Sequence, residues 1–519
     1  MPTKNSGLIS IKRALLSVSD KTYLEELART FISVGTEILA TGGTAAALKK
    51  AGIAYTKVED FAGSPEAFDG RIKTLTFKLQ GGILFDRANA KHQAQASELG
   101  VQSVDCVVCN FYPFEEALAR GVTESELVEQ IDVGGPTMVR AAAKNFSSVL
   151  VLTDPSDYAA VIAEIRAKSG CVTEKTRKAM MIKAFESVLK YDRAIYEGFS
   201  RQTLRYGENP HQKAYFVPDS SFSRLNWKFE DISYNNILDA QAAFGAMSDV
   251  REIAAGNYGA CAIVKHNNPC GLATGQTIAE AFELAWAGDP VSSFGGVVAM
   301  SAPVTMECVR LLKKKFIEVL IAPGFEEGVL EELQKDKKKL RIINSASGTL
   351  GEDHRRASAP WLRTTVEGGI LVQQPDDGWR EEFLCPTKIK FPTKKQKLAH
   401  FGIIAAKWIK SNAIAIVRET ADEGFQLVGM GSGQPNRVDA VKRLALPKMR
   451  ENFPDVKLSE CILVSDAFFP FADSIEMAAK EGINYIVQPG GSIRDNEVVA
   501  ACDSLGIAML MTGKRHFKH

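Results

Sequence analysis

The amino-acid sequence predicts an α/β protein with two or more domains. The chain has 519 residues, which is too long for one hydrophobic core. Short apolar runs alternate with amphipathic helical stretches before residue 200 and again after it. This alternation is typical of a sheet of parallel strands with helices on both faces. Residues 201–214 are polar and rich in turn formers, so we place a domain boundary near residue 200.

The N-terminal domain, residues 1–200, contains four predicted strands and four predicted helices. The strands are apolar runs bounded by polar residues, at 13–16, 37–40, 104–111 and 149–152. The helices show helical periodicity or a capping pattern, at 23–34, from 45 to the glycine at 52, from 154–157 onward, and at 175–196. The last helix is long enough to close the domain.

The C-terminal region, residues 201–519, again alternates strands and helices. Two of its segments, 355–365 and 374–395, are rich in charged residues, proline and threonine, which is typical of a loop or crossover. We therefore expect two subdomains in this region, with the split near residue 370.

Composition argues against several classes of partner. The formal net charge is +1, so the chain has no electrostatic footprint for nucleic acid or an anionic membrane. Residues 1–7 lack the apolar core of a signal peptide, and no run approaches the ~20 apolar residues that span a bilayer. We expect a cytoplasmic protein that binds neither nucleic acid nor membrane.

The cysteines indicate reduced thiols rather than disulfides or a metal site. There are nine, an odd number without framework spacing, as in cytosolic enzymes. Cys106 and Cys109 form a CxxC inside an apolar run, which favours core packing over redox chemistry. Pro269-Cys270 is similar to one arm of a zinc-deaminase site, but the second cysteine and an upstream His-x-Glu are missing. No metal is expected.

Polar residues follow the predicted strands of the N-terminal domain. Residues 17–21 follow the first strand, and residues 41–44, which include two glycines, follow the second. Each segment begins a helix, and helix N-termini bind phosphate because their N–H groups are free and the helix dipole is positive there. Each motif alone is more typical of an ordinary turn or N-cap. Two such loops on sequential strands should meet at one edge of the sheet.

Three further segments of this domain have polar chemistry. Residues 71–74 supply two cations, residues 110–114 end a strand with a phenol, and residues 132–137 form a loop with a carboxylate. Arg140 and Lys144 lie on one predicted helix face at i,i+4. The alternatives are a solvated face, a core tyrosine, a capping aspartate and a surface salt-bridge face.

The C-terminal region has its own candidate, residues 265–271. They follow the apolar run 260–264, which predicts a buried strand whose end carries Lys265 and His266 into a Pro/Gly turn. A lysine beside a histidine can stabilise a developing anion and move a proton. For these two residues alone, a solvated turn is the commoner interpretation.

Taken in order, the motifs resemble those of the bifunctional purine-biosynthesis family that combines AICAR transformylase with IMP cyclohydrolase. The matching segments are 17–22, 42–44, 71–75, 110–114, 130–135, 140–145, 204–212, 233–236, 265–271, 292–296, 321–323, 410–414, 433–438, 465–471 and 515–519. They extend over nearly the whole chain and keep the order of the family.

The resemblance implies a methylglyoxal-synthase-like domain at 1–200 and two cytidine-deaminase-like subdomains without zinc at 201–519. The C-terminal part would transfer a formyl group from 10-formyltetrahydrofolate to the amine of AICAR, and the N-terminal part would close the product, FAICAR, to IMP. The family works as a homodimer with the transformylase sites at the interface. No metal is required for catalysis, and the resemblance leaves a structural potassium ion open.

In the transformylase site, the resemblance implies that His266 is the base. Lys265 would stabilise the oxyanion or protonate the leaving folate nitrogen, and Asn412 would orient the formyl group. The nucleotide would be held by Arg205, Tyr206, Asn236, Ser293, Phe294, Gly295, Arg437, Arg515 and Phe517. Folate would be bound by Phe468, Pro470, Phe471 and Asp473. Without the resemblance, core packing would be the preferred interpretation of the Phe-Phe-Pro-Phe run.

In the cyclohydrolase site, the resemblance implies that four side chains surround the reacting groups: Lys73, Tyr112, Asp132 and Lys144. Of these, Lys144 would transfer the proton and Asp132 would orient the carboxamide. The phosphate and ribose would be bound by Ser17, Ser19, Lys21, Gly42, Gly43, Thr44, Arg71, Thr74 and Asn110.

One segment departs from the family pattern. After residues 73–75 the family usually continues with His-Pro and a second histidine four residues after the first, whereas this chain has Thr76, Phe77 and Gln80. A histidine at either place could shuttle a proton or bind phosphate. This departure leaves open that the N-terminal domain is a nucleotide-binding sensor beside an active transformylase. A separate alternative, prompted by Pro269-Cys270, is a zinc-deaminase-like enzyme.

Overall fold

The computed structural model describes residues 7–218, 232–254, 258–345, 361–376, 378 and 382–519. The chain forms two compact units, Met1–Arg201 and Gln202–His519. Both alternate helices with strands, so the predicted α/β class is confirmed. Residues 355–360, 377 and 379–381 of the predicted crossover segments lie outside the described residues.

The first unit contains the following elements in chain order: β1 (Leu8–Ser10), β2 (Arg13–Val18), α1 (Leu24–Ser33), β3 (Glu37–Ala40), α2 (Gly42–Lys50), β4 (Thr56–Lys57), α3 (Val58–Ala62), α4 (Phe77–Leu84), α5 (Ala90–Glu98), β5 (Cys106–Asn110), α6 (Phe114–Ala119), α7 (Glu124–Val128), α8 (Gly134–Lys144), β6 (Leu150–Leu152), a 3-10 turn (Pro155–Asp157), α9 (Tyr158–Ala167), β7 (Cys171–Thr173) and α10 (Glu174–Ser200).

A five-stranded parallel sheet in the order β4-β3-β2-β5-β6 forms the centre of the first unit. The four predicted strands are β2, β3, β5 and β6, and their apolar runs are continuous because both faces of the sheet are covered. Cys106 packs into the core on one face and Cys109 into the core on the other. Burial raises the pKa of both thiols, which confirms them as core residues.

The second unit contains the following elements in chain order: β8 (Gln202–Thr203), β9 (Tyr215–Phe216), α11 (Tyr234–Ile253), β10 (Gly259–Lys265), β11 (Asn268–Gly275), α12 (Ile278–Gly288), α13 (Pro290–Ser293), β12 (Gly296–Met300), α14 (Met306–Leu312), β13 (Ile317–Ala322), α15 (Val329–Asp336), β14 (Arg341–Asn344), β15 (Leu362–Val366), β16 (Gly369–Gln373), a 3-10 turn (Thr393–Lys395), α16 (Gln396–Trp408), β17 (Ile414–Glu419), β18 (Phe425–Gly431), α17 (Arg437–Asp439) continued by a π-helical turn (Ala440–Ala445), α18 (Leu446–Asn452), a 3-10 turn (Leu458–Glu460), β19 (Ile462–Ser465), α19 (Asp473–Lys480), β20 (Tyr485–Gln488), α20 (Asp495–Leu505) and β21 (Ala508–Met511).

One ten-stranded mixed sheet crosses the second unit in the order β14-β13-β12-β10-β11-β18-β17-β19-β20-β21. The three strands at each end are parallel to one another, and the middle strands pair antiparallel. The strands before and after the predicted split near residue 370 meet where β11 pairs with β18. Residue 370 itself lies in a separate exposed hairpin, β15–β16.

Gly271 of β11 lies directly against α12. A Cβ atom on this glycine would overlap the backbone carbonyl oxygen of Ala285, which cannot rotate away. We expect Gly271→Ala to lower the free energy of unfolding by about 1–3 kcal/mol, the usual cost of overpacking. All five tryptophans lie in the second unit, so tryptophan fluorescence during urea unfolding reports on this unit.

Gly369→Ala is the matched control, because a Cβ there meets no heavy atom within 4 Å. This control should stay within about 0.5 kcal/mol of the parent chain. Equal stability of the two variants would contradict the packing of β11 on α12.

Candidate active sites

The ends of three parallel strands form the first candidate site. The side-chain Oδ1 of Asn110, at the end of β5, accepts the backbone N–H groups of Ser19 (2.6 Å) and Asp20 (2.8 Å). Its amide nitrogen donates to the Asp20 carbonyl at 3.0 Å. Asn110 therefore shapes the loop after β2. Lys21 donates to the Ser19 carbonyl at 3.2 Å and is exposed.

The loop before α2 completes this strand edge. The Thr44 hydroxyl accepts the Val18 N–H at 2.9 Å, and the Thr41 hydroxyl donates to Ser17 Oγ at 2.9 Å. Helix α2 begins at Gly42, three residues before its predicted start, and the side chain of its N-cap, Thr41, accepts no N–H of the first turn. A Cβ on Gly43 would meet no heavy atom within 4 Å. The start of α2 therefore has room for a ligand.

Lys73 lies over the N-terminus of α2. A Cβ on Gly42 would be only 2.7 Å from the Lys73 ammonium, so a side chain at position 42 would displace the lysine. A cation beside a helix N-terminus is unfavourable, because both are positive. The carboxylate of Glu66, 2.9 Å from Lys73, offsets part of this repulsion. An anion such as phosphate would be attracted by both the ammonium and the helix.

Asp132 lies at the start of α8. Its Oδ1 accepts the Gly135 N–H at 2.8 Å, and its own N–H donates to the Tyr191 hydroxyl at 2.7 Å. Burial raises the pKa of this carboxyl, while the N–H groups of Gly135 and Gly134 act in the opposite direction. Asp132 is thus a capping residue, as the alternative interpretation proposes, and also a partly buried carboxyl beside the loop of Thr74. A Cβ on Gly134 would be 2.5 Å from the Thr74 hydroxyl.

Three other predicted residues of this site lie on a loop, in an ion pair and at a helix end. Tyr112 is 54% exposed in the loop after β5. Arg71 is paired with Glu129. Lys144 is the last residue of α8, and at 1.5 Å per residue it lies about 15 Å along the helix from Gly134. Lys144 therefore lies at the opposite end of α8 from the helix start near Asp132. The i,i+4 spacing of Arg140 and Lys144 predicts a shared helix face, but it does not predict a position along the axis.

The departures from the family pattern have local structural roles. Thr76 is the N-cap of α4 and accepts the Leu79 N–H at 3.4 Å, and the Phe77 ring is 67% exposed. Gln80 donates its side-chain amide to the Thr74 carbonyl at 3.0 Å. Gln80 therefore supports the loop that carries Lys73 and Thr74, although it cannot transfer a proton as a histidine would.

A tight hairpin forms the second candidate site. Strands β10 and β11 are joined by two residues, His266 and Asn267, whose φ angles are 52° and 60°. Two positive φ angles in a two-residue loop match the twist of the flanking strands. The predicted Pro/Gly turn is therefore wrong: Pro269 and Gly271 lie within β11, where the register shifts opposite Ile263 and Val264.

Asp239 of α11 stabilises this turn. Its carboxylate accepts the N–H groups of His266 (3.2 Å) and Asn267 (2.7 Å). Left-handed backbone costs about 1–2 kcal/mol for each residue that has a side chain, so such a turn needs partners of this kind. Burial raises the pKa of Asp239, and the two N–H groups oppose that rise. The sequence prediction missed Asp239, which is three residues after Asn236 on the same helix.

Lys265 and Phe294 are neighbours. The Lys265 ammonium donates to the Phe294 carbonyl at 2.8 Å, and the Phe294 ring is 58% exposed beside Phe316. Ser293 is fully buried with its hydroxyl 3.6 Å from Cys270 Sγ, and Gly295 has a φ of 75°. Of this predicted nucleotide-binding group, the exposed Phe294 ring offers the surface for a base.

Asn412 lies on the loop that faces the hairpin. The backbone N–H of Lys410 donates to Asn268 Oδ1 at 2.9 Å and so links that loop to β11. The Asn412 amide nitrogen donates to the carbonyls of Gln434 (2.8 Å) and Pro435 (3.2 Å). Its Oδ1 accepts from Arg437 at 2.8 Å.

Arg437 is a buried residue that connects neighbouring segments of the second unit. Its guanidinium is 9% exposed and pairs with the fully buried carboxylate of Asp466 at 2.9 Å. It also donates to Asn412 and to the Phe468 carbonyl. Through these contacts Arg437 orients Asn412. The sequence prediction missed Asp466, which also accepts the Ser411 hydroxyl at 2.7 Å.

The predicted folate segment separates into core and surface residues. Phe469 is fully buried in the core, so core packing is correct for that ring alone. The Phe471 ring is 51% exposed under the guanidinium of Arg494, 4.9 Å from its centroid. Pro470 is exposed, and Asp473 begins α19 at the surface. Phe468 is half-buried, and its carbonyl accepts a hydrogen bond from the Arg437 guanidinium.

The other predicted nucleotide residues of the second unit have mixed positions. Asn236 is a buried capping-box residue whose amide donates to Glu318 at 2.7 Å. Arg205 is exposed and donates to the Tyr206 hydroxyl at 2.6 Å. Arg515 lies over the Phe517 ring at 4.3 Å.

In the described ranges, no group of three or more His, Cys, Asp or Glu side chains could hold a metal ion. Within the same part of the chain, no helix combines the length and apolarity that crossing a membrane requires.

Known proteins match this chain over nearly its whole length. The family model described as AICARFT/IMPCHase bienzyme matches residues 142–448, and that of the MGS-like domain matches residues 23–137. The bifunctional purine biosynthesis protein PurH of Elusimicrobium minutum (strain Pei191) is 41% identical over 98% of this chain and 99% of its own. The PurH of Clostridium botulinum (strain Okra / Type B1) is 42% identical over 98% of this chain and 100% of its own. A solved structure described as the crystal structure of ForH is 36% identical over 37% of this chain and 99% of its own, with a TM-score of 0.33.

Asp466→Ala tests the buried pair behind Asn412. The substitution leaves the Arg437 guanidinium buried without its carboxylate, and breaking such a pair typically costs about 3–5 kcal/mol. We expect a loss of that size in the free energy of unfolding of the second unit, measured by tryptophan fluorescence in urea.

Glu497→Ala is the matched control, because its pair with Arg494 is exposed on both sides. Exposed pairs contribute about 0–1 kcal/mol. If Asp466→Ala lowers the free energy of unfolding by less than about 1 kcal/mol, Arg437 and Asp466 do not form a buried ion pair.

Proposed function

Because the chain belongs to the AICARFT/IMPCHase bienzyme family, we propose that each of its two units carries one of the two reactions. The protein is a bifunctional enzyme of purine biosynthesis, AICAR transformylase and IMP cyclohydrolase, and catalyses the last two steps of IMP synthesis. In the proposal, Gln202–His519 transfers the formyl group and Met1–Arg201 closes the ring.

The formyl transfer needs a base and a stabilised oxyanion. A transformylase implies a folate co-substrate, and we take it to be 10-formyltetrahydrofolate. The amine of AICAR attacks the formyl carbon, a C–N bond forms, and the carbonyl becomes a tetrahedral oxyanion. The oxyanion then collapses, the bond from carbon to the folate nitrogen breaks, and FAICAR leaves. An amine conjugated with an imidazole carboxamide is a weak nucleophile, so removal of its proton matters.

His266 and Lys265 are placed for these tasks. His266 is exposed at the tip of the hairpin, so its ring can reach the AICAR amine and accept the proton. Lys265, one residue earlier, has an ammonium that can stabilise the oxyanion and then protonate the folate nitrogen. An oxyanion donor of this kind is typically worth ~3–4 kcal/mol. The observation that carries the proposal is the link from Asn268 to Lys410, which joins this hairpin to the loop of Asn412.

The contacts of Asn412 change its expected role. Its amide nitrogen already donates to two carbonyl groups, so it does not donate to the formyl oxygen. Its Oδ1 accepts from Arg437 and retains one lone pair. In the proposal this lone pair accepts an N–H of the AICAR amine and orients it toward the formyl carbon.

Ring closure in the first unit is intramolecular. The carboxamide nitrogen of FAICAR attacks a formyl carbon on the same molecule, and water leaves. Orientation alone can supply ~7–11 kcal/mol in well-arranged cases. The proposal places the phosphate at the start of α2 under Lys73, where Ser17, Thr44 and Gly43 line the strand edge. Asp132, with its raised pKa, would orient the carboxamide.

An exposed hairpin supports the proposal of a homodimer. All ten residues of β15 and β16 are exposed, among them Leu362, Ile370 and Leu371. A two-stranded hairpin alone is only marginally stable, and a contiguous exposed apolar patch is typical of a protein interface. We take a second copy of the chain as the partner, with the transformylase sites at that interface.

Nine free cysteines support a reducing compartment, which we propose to be the cytoplasm. In this proposal, side chains catalyse both the formyl transfer and the ring closure. A bound potassium ion would have a structural role.

His266→Ala separates the two reactions. General acid–base catalysis typically contributes about 10²–10⁴-fold, so we expect the transformylase kcat to fall by that factor. The conversion of FAICAR to IMP should stay unchanged. Chromatographic separation of FAICAR and IMP measures both, with His92→Ala on α5 as the control. Full transformylase activity in His266→Ala would refute the assigned base.

Lys73→Met tests the phosphate site of the first unit. A hydrogen bond to a charged group is worth about 1.5–3 kcal/mol, so we expect kcat/KM for FAICAR to fall about 10- to 100-fold. The transformylase should be unaffected, and FAICAR should accumulate when AICAR is the substrate. Lys49→Met, in the last turn of α2, is the control. An unchanged KM and kcat for FAICAR would exclude Lys73 from the site.

A further inference from the structure

The segment after β21 returns to the transformylase hairpin. The backbone N–H of Lys518 donates to Ser411 Oγ at 3.0 Å, and the Ser411 N–H donates to the Lys518 carbonyl at 3.0 Å. This pair of bonds fastens Lys518 to the residue before Asn412. The backbone of Lys518 is therefore part of the loop that orients the substrate amine.

The side chain of Lys518 extends to the hairpin turn. Its ammonium donates to the carbonyls of Asn267 (3.3 Å) and Trp408 (3.0 Å). It also lies 4.8 Å from the centroid of the Trp408 ring, a cation–π contact. Trp408 is the last residue of α16, and its indole N–H donates to the Asp249 carboxylate at 2.8 Å. The ammonium thus joins the turn, the helix end and the Ser411 loop.

The carbonyl of Asn267 in the turn needs a hydrogen-bond donor, and Lys518 supplies it. Asp239 takes the two N–H groups of His266 and Asn267, and the carbonyl of Asn267 is left for Lys518. Both residues of the turn have positive φ angles, a conformation that persists only when surrounding contacts select it. Asp239 and Lys518 therefore both hold the turn, Asp239 through its two N–H groups and Lys518 through a carbonyl.

We propose that Lys518 is a positioning residue for the formyl transfer: its ammonium holds the His266–Asn267 turn against the Ser411–Asn412 loop. The base on one element and the amide on the other then face the same substrate amine. The inference rests on the proposed roles of His266 and Asn412, and it adds a residue that has no contact with the reacting atoms.

The charge on Lys518 depends on pH near neutrality. Burial and the positive charges of Lys410 and Lys407 lower the pKa of Lys518 to about 8, while Asp239 acts in the opposite direction. Lys407 is itself paired with Asp249 at 2.9 Å. Below pH 8 the side chain is an ammonium, and above pH 8 it becomes a neutral amine that binds the two carbonyls more weakly. An arginine would stay charged throughout this range.

The test measures steady-state formyl transfer from pH 6.5 to 9.5 in the full-length protein. Lys518→Met removes the charge, Lys518→Arg keeps it, and Lys338→Met is an exposed control. We expect Lys518→Met to lower the transformylase kcat about tenfold at pH 7, with less than a twofold change in KM for AICAR. Cyclohydrolase activity should not change. Lys518→Arg should restore most of the kcat and lose less of it than the parent chain between pH 8 and 9.5.

The outcomes separate this inference from the proposed function. If His266→Ala abolishes transfer but Lys518→Met keeps the parent kcat, the positioning role is overturned and the base assignment stands. If His266→Ala keeps full activity, the proposed function fails first. If Lys518→Met does not fold, the Lys518→Arg profile decides: a decline above pH 8 identical to that of the parent chain overturns the inference.

Discussion

The carboxylate of Asp239 accepts two backbone N–H groups of a left-handed turn, and the proposed chemistry of the second unit depends on that contact. The turn carries His266 and follows Lys265, so its backbone sets the direction of both side chains. The antiparallel hairpin reaches the Asn412 loop through Asn268. A buried ion pair, Arg437 with Asp466, then orients Asn412. The site is assembled from a hairpin, a loop and a helix end that are far apart in sequence.

In the first unit, the proposed task is the binding of an anion, the phosphate of FAICAR. Parallel strands bring their carboxyl ends to one edge, and the loops after them begin helices. Glycine at position 42 lets the ammonium of Lys73 approach the positive end of α2. Two positive groups in contact favour a bound anion more than either would alone. Gln80 supports the carbonyl of Thr74 in this loop, so the chain retains the loop where the family pattern has a histidine.

Much of the first unit could be predicted, because strands buried on both faces are continuous apolar runs. The hairpin turn could not, since proline and glycine suggested a turn where β11 continues with a shift in register. The resemblance implies a nucleotide role for Arg437, but sequence alone does not show that its guanidinium is buried against Asp466. Nor does it show which ring of the Phe-Phe-Pro-Phe run is core, and burial identifies Phe469. Asp239 and Lys518 carry no local signal, because their partners lie on other elements. Lys144 shares a helix with Gly134, but distance along the axis separates them.

The most direct test of the account is a crystal structure of the full chain with AICAR and an unreactive analogue of 10-formyltetrahydrofolate. We expect the AICAR amine to lie within about 3 Å of a ring nitrogen of His266, a hydrogen-bonding distance. The same nitrogen should lie beside Asn412 Oδ1, with the formyl position facing Lys265. AICAR bound in the second unit with its amine away from the His266 turn would contradict the account.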